Sequence, residues 1–281
     1  MRWQGRRGSS NIEDKRGLSS KGIIGGGIGG IVIILIVMLL GGDPTSLLQN
    51  IQTDQQTSNS NYSETAEEKE LAQFVSVVLA ETEDTWHKIF SDLGENYREP
   101  KLVLFTGSVQ SACGTAGAST GPFYCPSDEK LYIDLSFYDE LQKRFKAPGD
   151  FAMAYVIAHE VGHHIQNLLG TMDKMNQLRS RLSEEEYNKY SVRLELQADF
   201  YAGVWAHYTD KSKGLLEEGD LDEAINAASA VGDDRIQKQS QGYVVPESFT
   251  HGTSEQRKRW FYKGFTTGDI RQGDTFGTDN L

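Results

Sequence analysis

Tyr155-Val156-Ile157-Ala158-His159-Glu160-Val161-Gly162-His163-His164 decides how the rest of the chain is read. Inside it, His159, Glu160 and His163 form His-Glu-x-x-His. On a helix, side chains four residues apart stand nearly above one another. Both imidazoles therefore point the same way and can grip one metal ion, while Glu160, rotated away from them, still reaches a water at that ion. The flanks predict the helix: Asp150 is placed to cap its start, Phe151, Ala154, Tyr155, Ala158 and Ile165 recur at helical spacing, and Gly170 marks its stop. Gly162 in mid-helix costs about 1 kcal/mol against Ala, and its small size lets another element pack close. His164 lies about 100° around the helix from His163, which predicts a supporting or solvent-facing group.

Two histidines leave a metal short of ligands, and the run Leu194-Glu195-Leu196-Gln197-Ala198-Asp199-Phe200-Tyr201-Ala202-Gly203 offers the next one. It falls within a predicted long helix over 184–208. Glu195 and Asp199 share a face with the small apolar Ala198 and Ala202, and carboxylates on a buried face need a partner. A metal ion with its histidines supplies one. Glu195 becomes the third ligand, and Asp199 accepts a hydrogen bond from the outer nitrogen of a ligating histidine, fixing its tautomer. The pattern with a third histidine, H-E-x-x-H-x-x-G-x-x-H, fails because Gln166 and Leu169 stand at its Gly and His positions. A donor set of two histidines and a glutamate suits zinc best. Further on, Thr250-His251-Gly252-Thr253-Ser254 leads to Arg257. Thr253 or Ser254 can cap a last helix, His251 is a candidate donor to a developing oxyanion, and Arg257 can buttress a carboxylate. His207, Tyr201 and Tyr243 are rivals for the role of His251.

Around these motifs the 281-residue chain carries a net charge of −12 without a basic stripe in its folded part, which argues against nucleic acid as a partner. Residues 1–21 are polar and basic and read as a cytoplasmic tail. Ile23 to Leu40 is an eighteen-residue run without charge, and residues 22–41 read as an uncleaved transmembrane helix. No Lys or Arg follows until Lys69, so the positive-inside rule places the N-terminus in the cytoplasm and the bulk of the chain outside it, periplasmic or extracellular. Small-xxx-small spacings among Gly25, Gly26, Gly29 and Gly30 hint at helix pairing, hence a homo-oligomer. Residues 42–63 read as a flexible linker, 64–268 as the catalytic domain and 269–281 as a disordered tail. Within the domain, a first helix starts near Ser63-Glu64, and strands are predicted at 101–106 and 130–136. The second strand precedes the His-Glu helix and could add a peptide to its edge. Cys113 and Cys125, the only two cysteines, read as a disulfide in a domain outside the cytoplasm.

Several segments together resemble the bacterial neutral zinc metallopeptidase family. These are the opening Arg2-Trp3-Gln4-Gly5-Arg6-Arg7, the apolar run, Gly121-Pro122-Phe123-Tyr124-Cys125-Pro126, and Thr250-His251-Gly252 followed by Ser254-Glu255-Gln256-Arg257. The order of His-Glu-x-x-His and Glu-x-x-x-Asp is similar to the gluzincin class. The resemblance implies an α+β, mainly helical, zincin-like domain with a small β-sheet before the His-Glu helix, attached to an N-terminal transmembrane helix. It also implies His159, His163 and Glu195 as zinc ligands, Glu160 as base, Asp199 behind them, and peptide or protein as substrate. Some related membrane peptidases carry Thr-His-Pro where this chain has Thr250-His251-Gly252. The expected activity is that of a membrane-anchored zinc endopeptidase. The alternative is a metal-stabilised binding or assembly protein of the cell envelope without turnover.

Overall fold

The structure is a computed structural model that describes residues 1–17 and 62–281. The expected membrane helix (22–41), its glycine-based pairing and nearly all of the linker lie outside these residues. Among the described residues, no helix is long and apolar enough to cross a membrane.

The described part is mainly helical with two small sheets. Helix α1 (Ala66–Asp92) starts at a capping box in which Thr65 and Glu68 satisfy each other's backbone N–H groups. A four-stranded sheet follows the order β1 (Ile12–Asp14), β2 (Lys101–Phe105), β6 (Lys130–Asp134), β5 (Phe123–Cys125). The first three strands run parallel and β5 pairs antiparallel with β6. A separate hairpin, β3 (Ser108–Ser111) and β4 (Gly114–Gly117), carries Cys113 at its turn. The Cys113–Cys125 disulfide ties that turn to the end of β5. The short helix α2 (Phe137–Lys143) leads into α3 (Asp150–Leu168). Then come α4 (Thr171–Arg179), α5 (Glu184–Lys213), α6 (Asp220–Ala230), α7 (Asp233–Gln241) and α8 (Ser254–Thr267).

Helix α3 is the centre of the molecule. Every residue from Phe151 to Gly162 is buried, because α1, α5 and α6 all pack on it. A helix apolar on all sides has to be an internal one. Its start departs from the expected cap. Gly149, at φ 111°, precedes the first turn, and Asp150 is the first helical residue. The Glu223 carboxylate accepts the Phe151 N–H, while Asp150 and Asp220 receive the α-ammonium of Met1 at 2.7 and 3.3 Å.

Three expectations need correction. Residues 1–17 are not a separate tail: Met1 and Trp3 join the main core and Ile12–Asp14 form a sheet strand. Their apolar side chains and unpaired backbone groups find partners that no local sequence pattern announces. The chain after Gly268 also packs rather than frays: Arg193 donates to the carbonyls of Thr275 and Thr278, and Gln197 to that of Gly273. Finally, the strand at 130–134 is interior, so it has no free edge; the edge strand beside it is the three-residue β5, as β1 is at the other end of the sheet.

Candidate metal centre

His159 and His163 stand one turn apart on α3, with ring centroids 4.8 Å apart. Helix α5 crosses α3 where both are small: a Cβ at Gly162 would lie 2.9 Å from the Ala198 carbonyl oxygen. That close approach brings Glu195, one turn earlier on α5, over the two rings. His159 Nε2 is 3.1 Å from one Glu195 carboxylate oxygen and His163 Nε2 is 3.4 Å from the other. One atom of each residue falls within 4.8 Å of the others, a group able to hold a metal ion.

The hydrogen bonds around the trio assign the tautomers and test whether a cation fits. His159 Nδ1 is 2.8 Å from Asp199 Oδ1, and a carboxylate only accepts, so this nitrogen carries a proton. Gln166 gives its amide N–H groups to the Leu194 carbonyl and Gln197, which leaves its oxygen, 2.8 Å from His163 Nδ1, to accept. With both Nδ1 atoms protonated, two neutral rings direct their Nε2 lone pairs at the oxygens of a carboxylate. Convergent lone pairs repel unless a proton or a metal ion sits among them. The electrostatics agree. Burial pushes the His159 ring down, but the charge and hydrogen bond of Asp199, with the bond to Glu195, override it and raise its pKa to about 10. Glu195 is held well below the usual carboxylate range: burial works against ionisation, but the His163 charge and the bonds to both histidines prevail. The residues present fit a zinc ion, which prefers nitrogen and oxygen donors of this kind.

Behind the ligands lies a closed polar network. Asp199 is fully buried, and Arg257 of α8 grips it with two hydrogen bonds of 2.8 and 2.9 Å. Tyr155 donates its hydroxyl to the same carboxylate at 2.5 Å and accepts from Arg257 at 3.2 Å. Every lone pair that Asp199 turns toward the site is thus committed, and the imidazole of His159 cannot rotate without breaking the set. Glu160 is buried beside the trio. Its pKa is raised, with burial as the main cause, partly offset by the two histidines.

These groups form one end of a cleft of about 470 Å³, lined also by β5 and by Phe137, Phe145, Val156, Val231 and Ile236. His251 lines it too, from the loop before α8. Asp233, at the start of α7, fixes that loop. Its carboxylate accepts the backbone N–H groups of Thr250, His251 and Gly252 and pairs with His251 Nδ1 at 3.1 Å. The rivals of His251 lie elsewhere. His207 donates to the Phe265 carbonyl, Tyr201 packs edge-on against Trp86, and Tyr243 is exposed; none lines the cleft. His164 is neither at the site nor in solvent. Fully buried, it donates through Nε2 to the Arg98 carbonyl and accepts through Nδ1 from Tyr124, fastening α3 to β5. Sequence reasoning missed Gln166, Tyr155 and Asp233. Gln166 had a usable signal, since three residues beyond His163 places it on the same helix face. Asp233 had none, being distant in sequence from the loop it holds.

Comparison with known proteins gives the chain a family. The model of a family described as "Putative neutral zinc metallopeptidase" matches residues 1–276. "Uncharacterized protein YpfJ" of Escherichia coli (strain K12) is 50% identical over 287 residues, covering 99% of each chain. "Uncharacterized protein Rv2575" of Mycobacterium tuberculosis is 41% identical over 218 residues, 74% of this chain and 73% of its own. No solved structure matches. The family match spans both the N-terminal segment and the His/His/Glu centre, and the chain belongs to the neutral zinc metallopeptidase family.

Proposed function

We propose that this protein is a zinc-dependent endopeptidase acting on peptides or proteins that carry a bulky apolar residue beside the scissile bond. The observation that carries the reading is the convergence of His159 Nε2, His163 Nε2 and Glu195 beside the buried Glu160, at one end of an apolar cleft. His159, His163 and Glu195 would hold the zinc ion, which when bound would supply Lewis acidity and make a water more acidic. Glu160, its own pKa raised by burial, is suited to take a proton from the attacking water and return it to the leaving amine. His251, with Nδ1 held by Asp233, has Nε2 left to donate to the carbonyl oxygen as it gains charge.

The rest of the cleft speaks for the substrate. Its charged lining groups are Glu160, Glu195 and Arg257, and each already has its task. Phe137, Phe145, Val156, Val231 and Ile236 offer an apolar wall. β5 is the last strand of the sheet on the side of α3, where an extended peptide can add as a further strand. Membrane association through residues 22–41 belongs to the same reading. The test replaces Glu160 with Gln. Zinc content should stay at one ion per chain, while hydrolysis of peptides bearing Leu or Phe falls at least about a hundredfold. Undiminished hydrolysis by Glu160→Gln would reject the mechanism, and equal cleavage of Leu, Asp and Lys peptides would reject the substrate class.

A further inference from the structure

We propose that residues 1–17 and the catalytic domain face one and the same compartment, so the N-terminal segment is a working part of the peptidase body and not a tail left across a membrane. The pairing of β1 with β2 carries this. Leu102 donates its N–H to the Asn11 carbonyl and Lys15 to that of Leu104, both at 2.8 Å, flanking the register Ile12↔Leu102 to Asp14↔Leu104. Paired strands lie about 4.8 Å apart, whereas a bilayer's hydrocarbon core is about 30 Å thick. The rest of the segment is built in equally. Trp3 meets Phe74 edge-on at 5.5 Å, Ser9 and Asn11 both donate to the buried Glu83, and Arg2 donates its N–H to the Leu215 carbonyl. Arg16 pairs with Glu64 at 2.7 Å, and Gly17 lies against Tyr62. Residues 17 and 62 thus lie side by side on the folded body.

The basic residues that would hold the N-terminus in the cytoplasm are each paired with a carboxylate, three of them at the surface. Arg2 meets Glu217, Arg6 meets Glu81, Arg7 meets Asp84, Lys15 meets Glu13 and Arg16 meets Glu64. The positive-inside rule counts cationic side chains whatever acids stand beside them, so these pairs do not change its count; all but Lys15–Glu13 instead add to the tie between the segment and the folded body. The Cys113–Cys125 disulfide points to an oxidising compartment for that body, and residues 1–17 go with it.

The experiment uses the full chain in intact cells, with one cysteine placed at a time: Ser10→Cys in the segment and Ser240→Cys on α7, both exposed positions. The parent chain without an added cysteine, its native pair Cys113–Cys125 included, gives the background labelling. A membrane-impermeant maleimide is applied before and after lysis. The expected result is the same pattern at both positions: full labelling in intact cells, or labelling at both only after lysis if the shared compartment is the cytoplasm. Labelling of one position in intact cells and of the other only after lysis, in proteins whose melting temperature matches the parent's, overturns the proposal.

Discussion

Asp199 is the residue on which the centre turns, because it answers to a histidine, an arginine and a tyrosine at once. Asp199→Asn keeps the shape but leaves the Arg257 guanidinium, 3% exposed, without its buried counter-charge. Stripping one partner from a buried pair costs about 3–5 kcal/mol, so the variant should melt well below the parent and bind zinc about 10–100-fold more weakly, as losses behind a metal ligand do. Calorimetry and zinc titration read the two effects separately. Asp233 and His251 make the second residue-scale case. Burial disfavours charge on both, but their mutual hydrogen bond dominates: Asp233 lies below its ordinary 3.8 and His251 above its ordinary 6.5. For the raised histidine, the stabilisation is complete below pH 6.5 and is lost as pH rises through its folded value. For the depressed aspartate, it is present above pH 3.8 and lost as pH falls through its folded value. The loop is therefore firmest in weak acid. In Asp233→Asn the titration of the His251 ring, followed by NMR, should move down; an unmoved titration would show that the pairing does not hold the ring.

Helices, more than residues, set how near Glu195 comes to the histidines. Helices α5 and α8 meet through Gly203 and Gly264, each filling a place where a Cβ would strike the other helix's backbone: Phe261 for Gly203, Phe200 for Gly264. The α3–α5 crossing at Gly162 is tight but less so, with the Ala198 oxygen at 2.9 Å from a would-be Cβ. Backbone cannot move aside as a side chain can. Gly203→Ala should thus lose at least the about 1–3 kcal/mol typical of overpacking, and more than Gly162→Ala does. Thermal melts of the two variants check the order, and equal losses would mean that the α5–α8 contact is looser than the structure has it. Both glycines sit in helices where intrinsic propensity speaks against them. From sequence, Gly162 reads as a site of close approach, but which helix approaches is not written in the local pattern.

At the scale of the whole molecule, the N-terminal segment closes the core. Trp3 packs on Phe74 of α1 and the Met1 ammonium sits among Asp150 and Asp220, at the head of the helix that carries both histidines. Trp3→Ala should cost about 3–5 kcal/mol, the usual range for truncating a buried aromatic. Denaturant unfolding measures it, and a loss below 1 kcal/mol would mean the segment merely rests on the domain. Legible from the residues alone were the helix carrying His159 and His163, the i, i+4 pair Glu195 and Asp199, the strands expected at 101–106 and 130–136 and found at Lys101–Phe105 and Lys130–Asp134, and the disulfide partners, because each is a matter of local periodicity or of having no other choice. It took the folded molecule to show that residues 1–17 join the body and lend it the strand Ile12–Asp14, that β5 forms the sheet edge beside α3, that Gln166 and Asp233 orient the two histidines they touch, and that the chain after Gly268 is held in place. Those features rest on partners distant in sequence. Their residues are polar, glycine-rich or few, so no period marks them, and their free energy appears only once the folded surface exists to receive them.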